Sequence, residues 1–456
     1  MRIHFIAIGG SIMHNLAISL ERQGHQISGS DDQIVEPSRS HLIDAGLLPE
    51  QLGWFEEKIT DDIDAVILGA HALINNPELI KAQELGLKIY SFPEFIQELS
   101  QDKTRVVIAG SYGKTTIMSM VMHVLKNLNR PFDYLVGAQL EGFDNLIEIT
   151  KTNKIILIEG DENVASSLSS KSKFMFYKPN IALISGINWN EYSTTITFDH
   201  YLKQFEDFIN TIEAKGTLIY NKEDKYLQKI IADTKSCKIN RHGYQIPEYA
   251  INKGVTSIKS AKGDVPLQIF GKHNLSNIAG AYTVCEWLGI KKEDFFETIK
   301  TFKSSIRYLE FVSSFEGSVV YQDFAHTPKK LKASIHAIKE QFPSQKLVAI
   351  IELNAYDSLD EKFVSQYKDT MNEADLPVVF INMESIKEVN KCTTHLLEDI
   401  RNAFNRSDLD IVTNLGDLYK FLENFKSKGN NLLLMSSGNY SGVNLTELAD
   451  HFFKNY

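Results

Sequence analysis

Residues 109–116 read AGSYGKTT, a glycine turn followed by Lys114 and two threonines that open a helical pattern. A turn of this kind can hold a phosphate. Backbone N–H groups at the helix N-terminus face the anion, the lysine neutralises it, and a threonine hydroxyl can ligate Mg²⁺. The Walker A spacing G-x-x-x-x-G-K-[ST] would need glycine at position 108, where this chain has Ile108. The loop is therefore a shortened form, with Gly110, Ser111, Tyr112, Gly113, Lys114, Thr115 and Thr116 as candidate phosphate contacts. The plainer alternative is a strand-to-helix turn with a solvated lysine. The apolar run TRVVIAG before the turn and the paired threonines after it favour the phosphate.

Four further stretches carry chemistry. IEGDE (158–162) ends an apolar run with Glu159, Asp161 and Glu162, oxygen ligands of the kind that Mg²⁺ takes together with substrate phosphates. A solvated acidic turn would be the better reading if the loop were absent. FGKHNLSNIAGAY (270–282) sets His273, Asn274 and Asn277 at the head of an apolar helix; capping explains one asparagine, and contacts to a base or phosphate would explain the rest. YQDFAHTP (321–328) puts Asp323 and His326 just after a strand, where open α/β sheets gather ligand groups, although a cap before the helix-starting Pro328 accounts for much of it. AIGGS (7–11), with Asp31 some twenty residues on, partly matches a dinucleotide fingerprint whose first glycine is here Ala7. Gly9, Gly10 and Ser11 still point to an anion at a helix N-terminus.

The elements that must position these residues alternate. RIHFIAI, QISGSD, DAVILGA and KIYSF read as strands of a first series, with helical spacing in IMHNLAISLERQGH between the first two. TRVVIAG, KIILIEG, NIALISGI and GTLIYN form a second series, and GSVVYQDFAHTP, KLVAIIEL, LPVVFIN, LDIVTN and NNLLLMSSGN a third. Strands alternating with helices imply parallel sheets covered on both faces. The expected architecture is three successive α/β domains: 1–103 Rossmann-like, 104–304 a phosphate-loop ATPase, and 305–456 again Rossmann-like.

Composition agrees with a soluble globular chain, at 43% hydrophobic and 23% charged residues in 456. A formal charge of −10 argues against a nucleic-acid partner. Cys237, Cys285 and Cys392 have no metal spacing and form no CxxC pair, which suits a reducing cytoplasm. No stretch approaches a membrane span and nothing reads as a signal peptide, so the expectation is a cytoplasmic protein without a membrane partner, monomeric or a weak homodimer.

Taken in order, AGSYGKTT, EGDE, GKHNLSN and DFAHTP resemble the Mur ligase family, the ATP-dependent amide-forming enzymes of peptidoglycan synthesis, over the whole chain. The short loop G-x-x-G-K-[ST]-[ST] is shared with folylpolyglutamate synthases. The N-terminal IHFIAIGGSIMHNLA, GSDD and NNPELIKAQELGLKI, however, are similar to the UDP-sugar domain of members that act on UDP-N-acetylmuramate. EPSRSHL, FDYLVGAQLEGF and SSGNYSG most resemble members joining the tripeptide L-alanyl-γ-D-glutamyl-meso-diaminopimelate to that sugar nucleotide, followed by members that join L-alanine. The resemblance implies ATP and Mg²⁺ as cofactors. It also implies an acyl phosphate made from the muramoyl carboxylate, attack by the acceptor amine, and domain closure around an ATP site shared by the central and C-terminal domains. It assigns Lys114 to the β/γ-phosphates, Thr115 and Glu162 to Mg²⁺, Asn274 to adenine and Asp323 to the ribose, with Gly9, Gly10, Ser11 and Asp31 around UDP. Lys114, Glu162 and His326 stand as the candidate catalytic groups.

Three departures bear on one ATP site. Tyr112 replaces the family's usual histidine, and Asn190-Glu191 replace an Asp-His pair, leaving Glu191 as the metal candidate. Arg307 precedes Tyr308 where a second basic residue is usual. Two readings follow: an active ligase with an altered metal shell, or an impaired paralogue that only binds the UDP-sugar.

Overall fold

The computed structural model describes residues 1–189, 196–234, 238–260, 262–303, 309–353, 361–383, 396–424, 428–438 and 440–454. Asn190, Glu191, Arg307 and Tyr308 lie outside the described residues. By packing, the chain divides into two compact units, residues 1–246 with 276–299, and residues 247–275 with 300–456.

The first unit holds two parallel-rich sheets. Strands β1 (Arg2–Ile6), β2 (Gln26–Ser30), β3 (Ala65–Leu68) and β4 (Ile89–Ser91) pair in parallel in the order β2-β1-β3-β4. Strands β5 (Thr104–Ala109), β6 (Asp133–Leu135), β7 (Ile147–Glu148) and β8 (Ile155–Gly160) precede a small hairpin, β9 (Val164–Ser166) and β10 (Ser169–Ser172). With β11 (Ile181–Ile184), β12 (Thr217–Asn221) and β13 (Asn240–Tyr244) they complete a seven-stranded sheet, β13-β12-β11-β5-β8-β6-β7, antiparallel only between β6 and β7.

The central strands are buried on both faces, which explains their unbroken apolar runs. Val106, Val107, Ile108, Ile156, Leu157 and Ile158 have no exposed surface. Parallel pairing then decides what comes next: Ala109 lies beside Gly160 on one side and Ile184 on the other. The segments that follow β5, β8 and β11 therefore emerge together at one sheet edge.

In the second unit, β14 (Tyr249–Asn252), β15 (Val255–Ile258) and β16 (Val265–Pro266) make a small antiparallel sheet. Strands β17 (Glu310–Phe315), β18 (Ser318–Asp323), β19 (Lys346–Glu352), β20 (Leu376–Phe380), β21 (Asp410–Val412) and β22 (Asn430–Met435) form the order β17-β18-β22-β19-β20-β21. All its neighbours are parallel except the β17–β18 hairpin. Sequence alternation did not reveal the hairpins. One had a local signature: Lys253 (φ 51°) and Gly254 (φ 75°) both take left-handed dihedrals between β14 and β15, as a two-residue hairpin turn requires. Among the described residues no helix is long and apolar enough to cross a membrane.

Candidate functional site

The phosphate-loop candidate leaves β5 at Ala109 and enters the helix Lys114–Asn127. That helix is locked in place by its apolar side, since Ile117, Met118, Val121, Val124 and Leu125 are fully buried. Two glycines shape the turn. Gly113 sits at the helix cap with φ 75°, and Gly110 has φ 127°, both dihedrals that L side chains avoid. A Cβ at Gly110 would also overlap Ser185 Oγ, because the loop lies directly against the end of β11. Ser111 N–H donates to Gly186 O at 2.9 Å, and the Ser185 hydroxyl donates to the Tyr112 carbonyl.

Around the helix N-terminus two side-chain pairs form, Lys114 with Glu162 and Thr115 with Glu159. Lys114 Nζ donates to Gly110 O at 2.7 Å and to Glu162 Oε2 at 2.8 Å. Thr115 Oγ1 donates to Glu159 Oε1 at 2.7 Å, while Gly137 N–H holds Glu159 Oε2 at 3.0 Å. The chemistry follows from these donors. N–H groups and a lysine at a helix start suit an anion. A threonine hydroxyl and two glutamates suit a hard, oxygen-seeking cation such as Mg²⁺, which takes one or two carboxylates and leaves its other positions to water and phosphate. The residues present therefore fit that metal. Among the described residues no group of three or more His, Cys, Asp or Glu is arranged to hold a metal ion.

Asp161 is committed elsewhere. Its Oδ2 accepts from Lys173 Nζ at 2.8 Å and its Oδ1 from Asn163 N–H at 3.0 Å. Burial alone would raise its carboxyl, but Lys173 and these hydrogen bonds hold it below the usual range. Asn277, on the helix Lys272–Trp287, sets its Oδ1 against Gly113, 2.5 Å from where a Cβ would lie.

Tyr112 is packed inward. A Cβ added to Gly186 would overlap its ring and hydroxyl, so Gly186 is the floor on which the ring lies. The hydroxyl donates to Asp224 Oδ2 at 3.3 Å, the same oxygen that accepts Ile187 N–H at 2.9 Å. Asp224 Oδ1 meanwhile caps the helix Lys225–Asp233 through Tyr226 and Leu227 N–H, both at 3.0 Å. Burial, reinforced by Asp224, pushes the Tyr112 hydroxyl far above the ordinary phenol range, so it acts as a neutral donor.

Ser111, Lys114, Thr115, Glu159 and Glu162 are thus brought together in the first unit, and Asn277 joins them at Gly113. Sequence reasoning missed Tyr201, whose hydroxyl lies 2.8 Å from Ser111 Oγ and 3.3 Å from Glu162 Oε1. Its spacing from Phe205, Phe208 and Ile209 marked an inward-facing position, but nothing local told where the hydroxyl would point.

Also in the first unit, the turn after β1 brings Gly9, Gly10 and Ser11 to the start of the helix Ser11–Glu21. Asp31 folds back onto that turn, its Oδ2 accepting Gly9 N–H at 2.7 Å, and burial raises its carboxyl. A Cβ at Gly9 would sit 2.9 Å from that same oxygen. Ala7, where a glycine would fit the fingerprint, takes φ 68°.

In the second unit Asn274 is buried and its side-chain NH₂ donates to Phe270 O at 2.9 Å. Burial pushes the His273 imidazole down to about 4. Asp323, only 6% exposed at the end of β18, accepts Leu309 N–H and the Ser334 hydroxyl, each at 3.0 Å. Its burial outweighs those donors and raises the carboxyl to about 7. His326 Nδ1 lies 3.0 Å from Phe324 O, and its ring packs on the Phe324 ring.

Residues 2–104 match the profile of the Mur ligase family catalytic domain, and residues 108–285 that of the Mur ligase middle domain. The chain is 27% identical to the UDP-N-acetylmuramate–L-alanine ligase of Sulfurihydrogenibium sp., over 99% of this chain and 97% of that one. The same-named ligase of Persephonella marina is also 27% identical, with the same coverage. Among solved structures, the fold is similar to a UDP-N-acetylmuramate-alanine ligase from Thermotoga maritima, with TM-score 0.65, 19% identity, and 100% and 99% of the two chains covered. It is likewise similar to a murein peptide ligase from Psychrobacter arcticus, with TM-score 0.60, 20% identity and 99% of each chain covered. With both profiles matched in order along residues 2–285, the chain belongs to the Mur ligase family, whose members are ATP-dependent ligases that form C–N bonds.

Proposed function

We propose that this chain joins UDP-N-acetylmuramate to the amine of an amino acid or short peptide, using ATP and Mg²⁺ in the cytoplasm. The observation that carries the reading is the meeting of Lys114, Thr115, Glu159 and Glu162 at one helix N-terminus. Lys114 would exchange Glu162 for the β/γ-phosphates, and Thr115 and Glu162 would hold Mg²⁺, which supplies charge neutralisation on the transferred phosphoryl group. Asn274 is assigned to adenine, Asp323 to the ribose, and the turn Gly9–Ser11, braced by Asp31, to UDP. His273, Asn277, Arg307 and His326 are assigned around the nucleotide and reacting groups, with Glu191 as a further metal ligand. In this scheme the muramoyl carboxylate takes the γ-phosphoryl group, the acceptor amine attacks the acyl carbon, and inorganic phosphate leaves. We further propose domains at 1–103, 104–304 and 305–456.

Two acceptors share this chemistry. L-Alanine is supported by the end-to-end match to L-alanine ligases. The L-alanyl-γ-D-glutamyl-meso-diaminopimelate tripeptide is supported by the segments EPSRSHL, FDYLVGAQLEGF and SSGNYSG. The test is phosphate release from ATP with UDP-N-acetylmuramate, offering each acceptor separately. Release with one acceptor and not the other assigns the substrate. No release with either, alongside retained UDP-sugar binding, would refute the ligase reading in favour of an impaired paralogue.

A further inference from the structure

Tyr201 belongs to the helix Phe198–Asn210 and has no sequence motif to announce it. Its phenol is 4% exposed and sits between the phosphate loop and the acidic segment after β8. The directions of the hydrogen bonds there can be settled by donor accounting. Asn188 N–H can only donate, and it donates to Ser111 Oγ at 2.8 Å. A carboxylate can only accept, and Glu162 Oε1 lies 3.3 Å from Tyr201 OH. The 2.8 Å contact between the two hydroxyls must then run from Ser111 to Tyr201. A single ordered relay results: Asn188 N–H to Ser111 O–H to Tyr201 O–H to Glu162.

Glu162 is thereby held on both oxygens, by Tyr201 on Oε1 and by Lys114 on Oε2. The two holds differ in what a nucleotide does to them. Lys114 is the cation that a terminal phosphate would draw away. Tyr201 is neutral, buried and on a helix packed through Phe205 and Phe208, which are fully buried, so it has no reason to follow. Once phosphate takes Lys114, Tyr201 is the hydrogen-bond donor that keeps Glu162 aimed, and through Ser111 it ties that aim to the position of the loop.

We propose that Tyr201 is a positioning residue of the nucleotide site, orienting Glu162 for the divalent cation and registering it to the phosphate loop through Ser111. The inference rests on the proposed roles of Lys114 and Glu162. It predicts a defect in how the cation is used, separate from binding of the nucleotide as such. Groups that orient metal ligands from behind typically contribute 10–100-fold to affinity, and a 3.3 Å contact belongs at the low end, about tenfold.

The test is binding of a fluorescent ATP analogue, titrated with Mg²⁺, by the wild-type chain, Tyr201→Phe and Lys114→Ala. Tyr201→Phe removes one oxygen and should leave the melting temperature unchanged and the Mg²⁺-free nucleotide affinity within about twofold of wild type. It should require roughly tenfold more Mg²⁺ for half-maximal binding. Lys114→Ala should weaken binding with and without Mg²⁺. An unchanged Mg²⁺ requirement in Tyr201→Phe overturns the inference and leaves the ATP site standing, as does an equal loss with and without Mg²⁺, which would mark Tyr201 as packing. Failure of the wild-type chain to bind the nucleotide at all overturns both readings.

Discussion

Gly186 and Tyr112 form a pair whose dependence can be measured. At φ 159° the Gly186 backbone already lies where L side chains are strained, a cost that Gly186→Ala carries in any background. Its neighbour adds a second obstacle: the three heavy atoms nearest to a Cβ placed there all belong to the Tyr112 ring and hydroxyl. Gly186→Ala should therefore push the ring out of its seat and break the contact with Asp224. Overpacking of this kind costs roughly 1–3 kcal/mol, and loss of the 3.3 Å hydrogen bond to the Asp224 carboxylate adds about 1.5 kcal/mol. Tyr112→Ala empties the seat, losing part of the roughly 3–5 kcal/mol expected for a fully buried aromatic because Tyr112 is only half-buried. In that background Gly186→Ala should cost only the strain of its dihedral. Urea unfolding of the wild type, the two single variants and the double variant, followed by tryptophan fluorescence, closes the cycle. The expected coupling is about 1–3 kcal/mol in favour of the double variant. Equal destabilisation by Gly186→Ala in both backgrounds would refute the placement of the tyrosine.

Gly110→Ala meets two obstacles, a φ of 127° and overlap with Ser185 Oγ, so the loop must shift. A shift of about 1 Å should lower kcat/KM on the order of 10²-fold, and activity within threefold of wild type would contradict a precise phosphate loop. For Ala7→Gly, relief of about 1–2 kcal/mol of left-handed strain at φ 68° opposes about 0.5–1 kcal/mol of added chain entropy and about 0.8 kcal/mol for the buried methyl. Unfolding free energy should change by less than about 1 kcal/mol, and a loss above about 2 kcal/mol would show that the methyl is a packing requirement. Asp323 has a folded carboxyl raised to about 7, above its ordinary 3.8, so its protonated form favours the folded state. That contribution is fully present below about 3.8 and is lost as pH rises to about 7, with a slope approaching 1.4 kcal/mol per unit. Denaturant unfolding at pH 4.5 and 7.5 should show Asp323→Asn less pH-sensitive than wild type in that direction, and an identical pH difference would contradict the raised carboxyl.

What the sequence determined by itself was local and periodic. The run TRVVIA needs burial on both faces, glycine supplies the left-handed turn, and KTTIMSMVMHVLKN has apolar residues at helical spacing, so strand, loop and helix at 104–127 follow from neighbours in the chain. The same logic made Lys114, Thr115 and Glu162 legible as candidates, because the residue types of a phosphate-binding turn at a strand end are written within a few positions. Tertiary structure decided how those residues are paired. Lys114 meets Glu162 across 48 residues, and Tyr201 meets Ser111 across 90, because β5 lies between β8 and β11 and not elsewhere in the sheet. Tyr112 reads in sequence as an exchange inside the loop. Its seat on Gly186 and its bond to Asp224, 112 residues away, were set by strand order. Asp161 and Glu162 are adjacent and chemically alike, yet one faces Lys173 and the other Lys114. Periodicity and composition carry only the free energy of local choices. The partner of a buried charge is chosen by which strands lie side by side, and that choice exists only once the chain has folded.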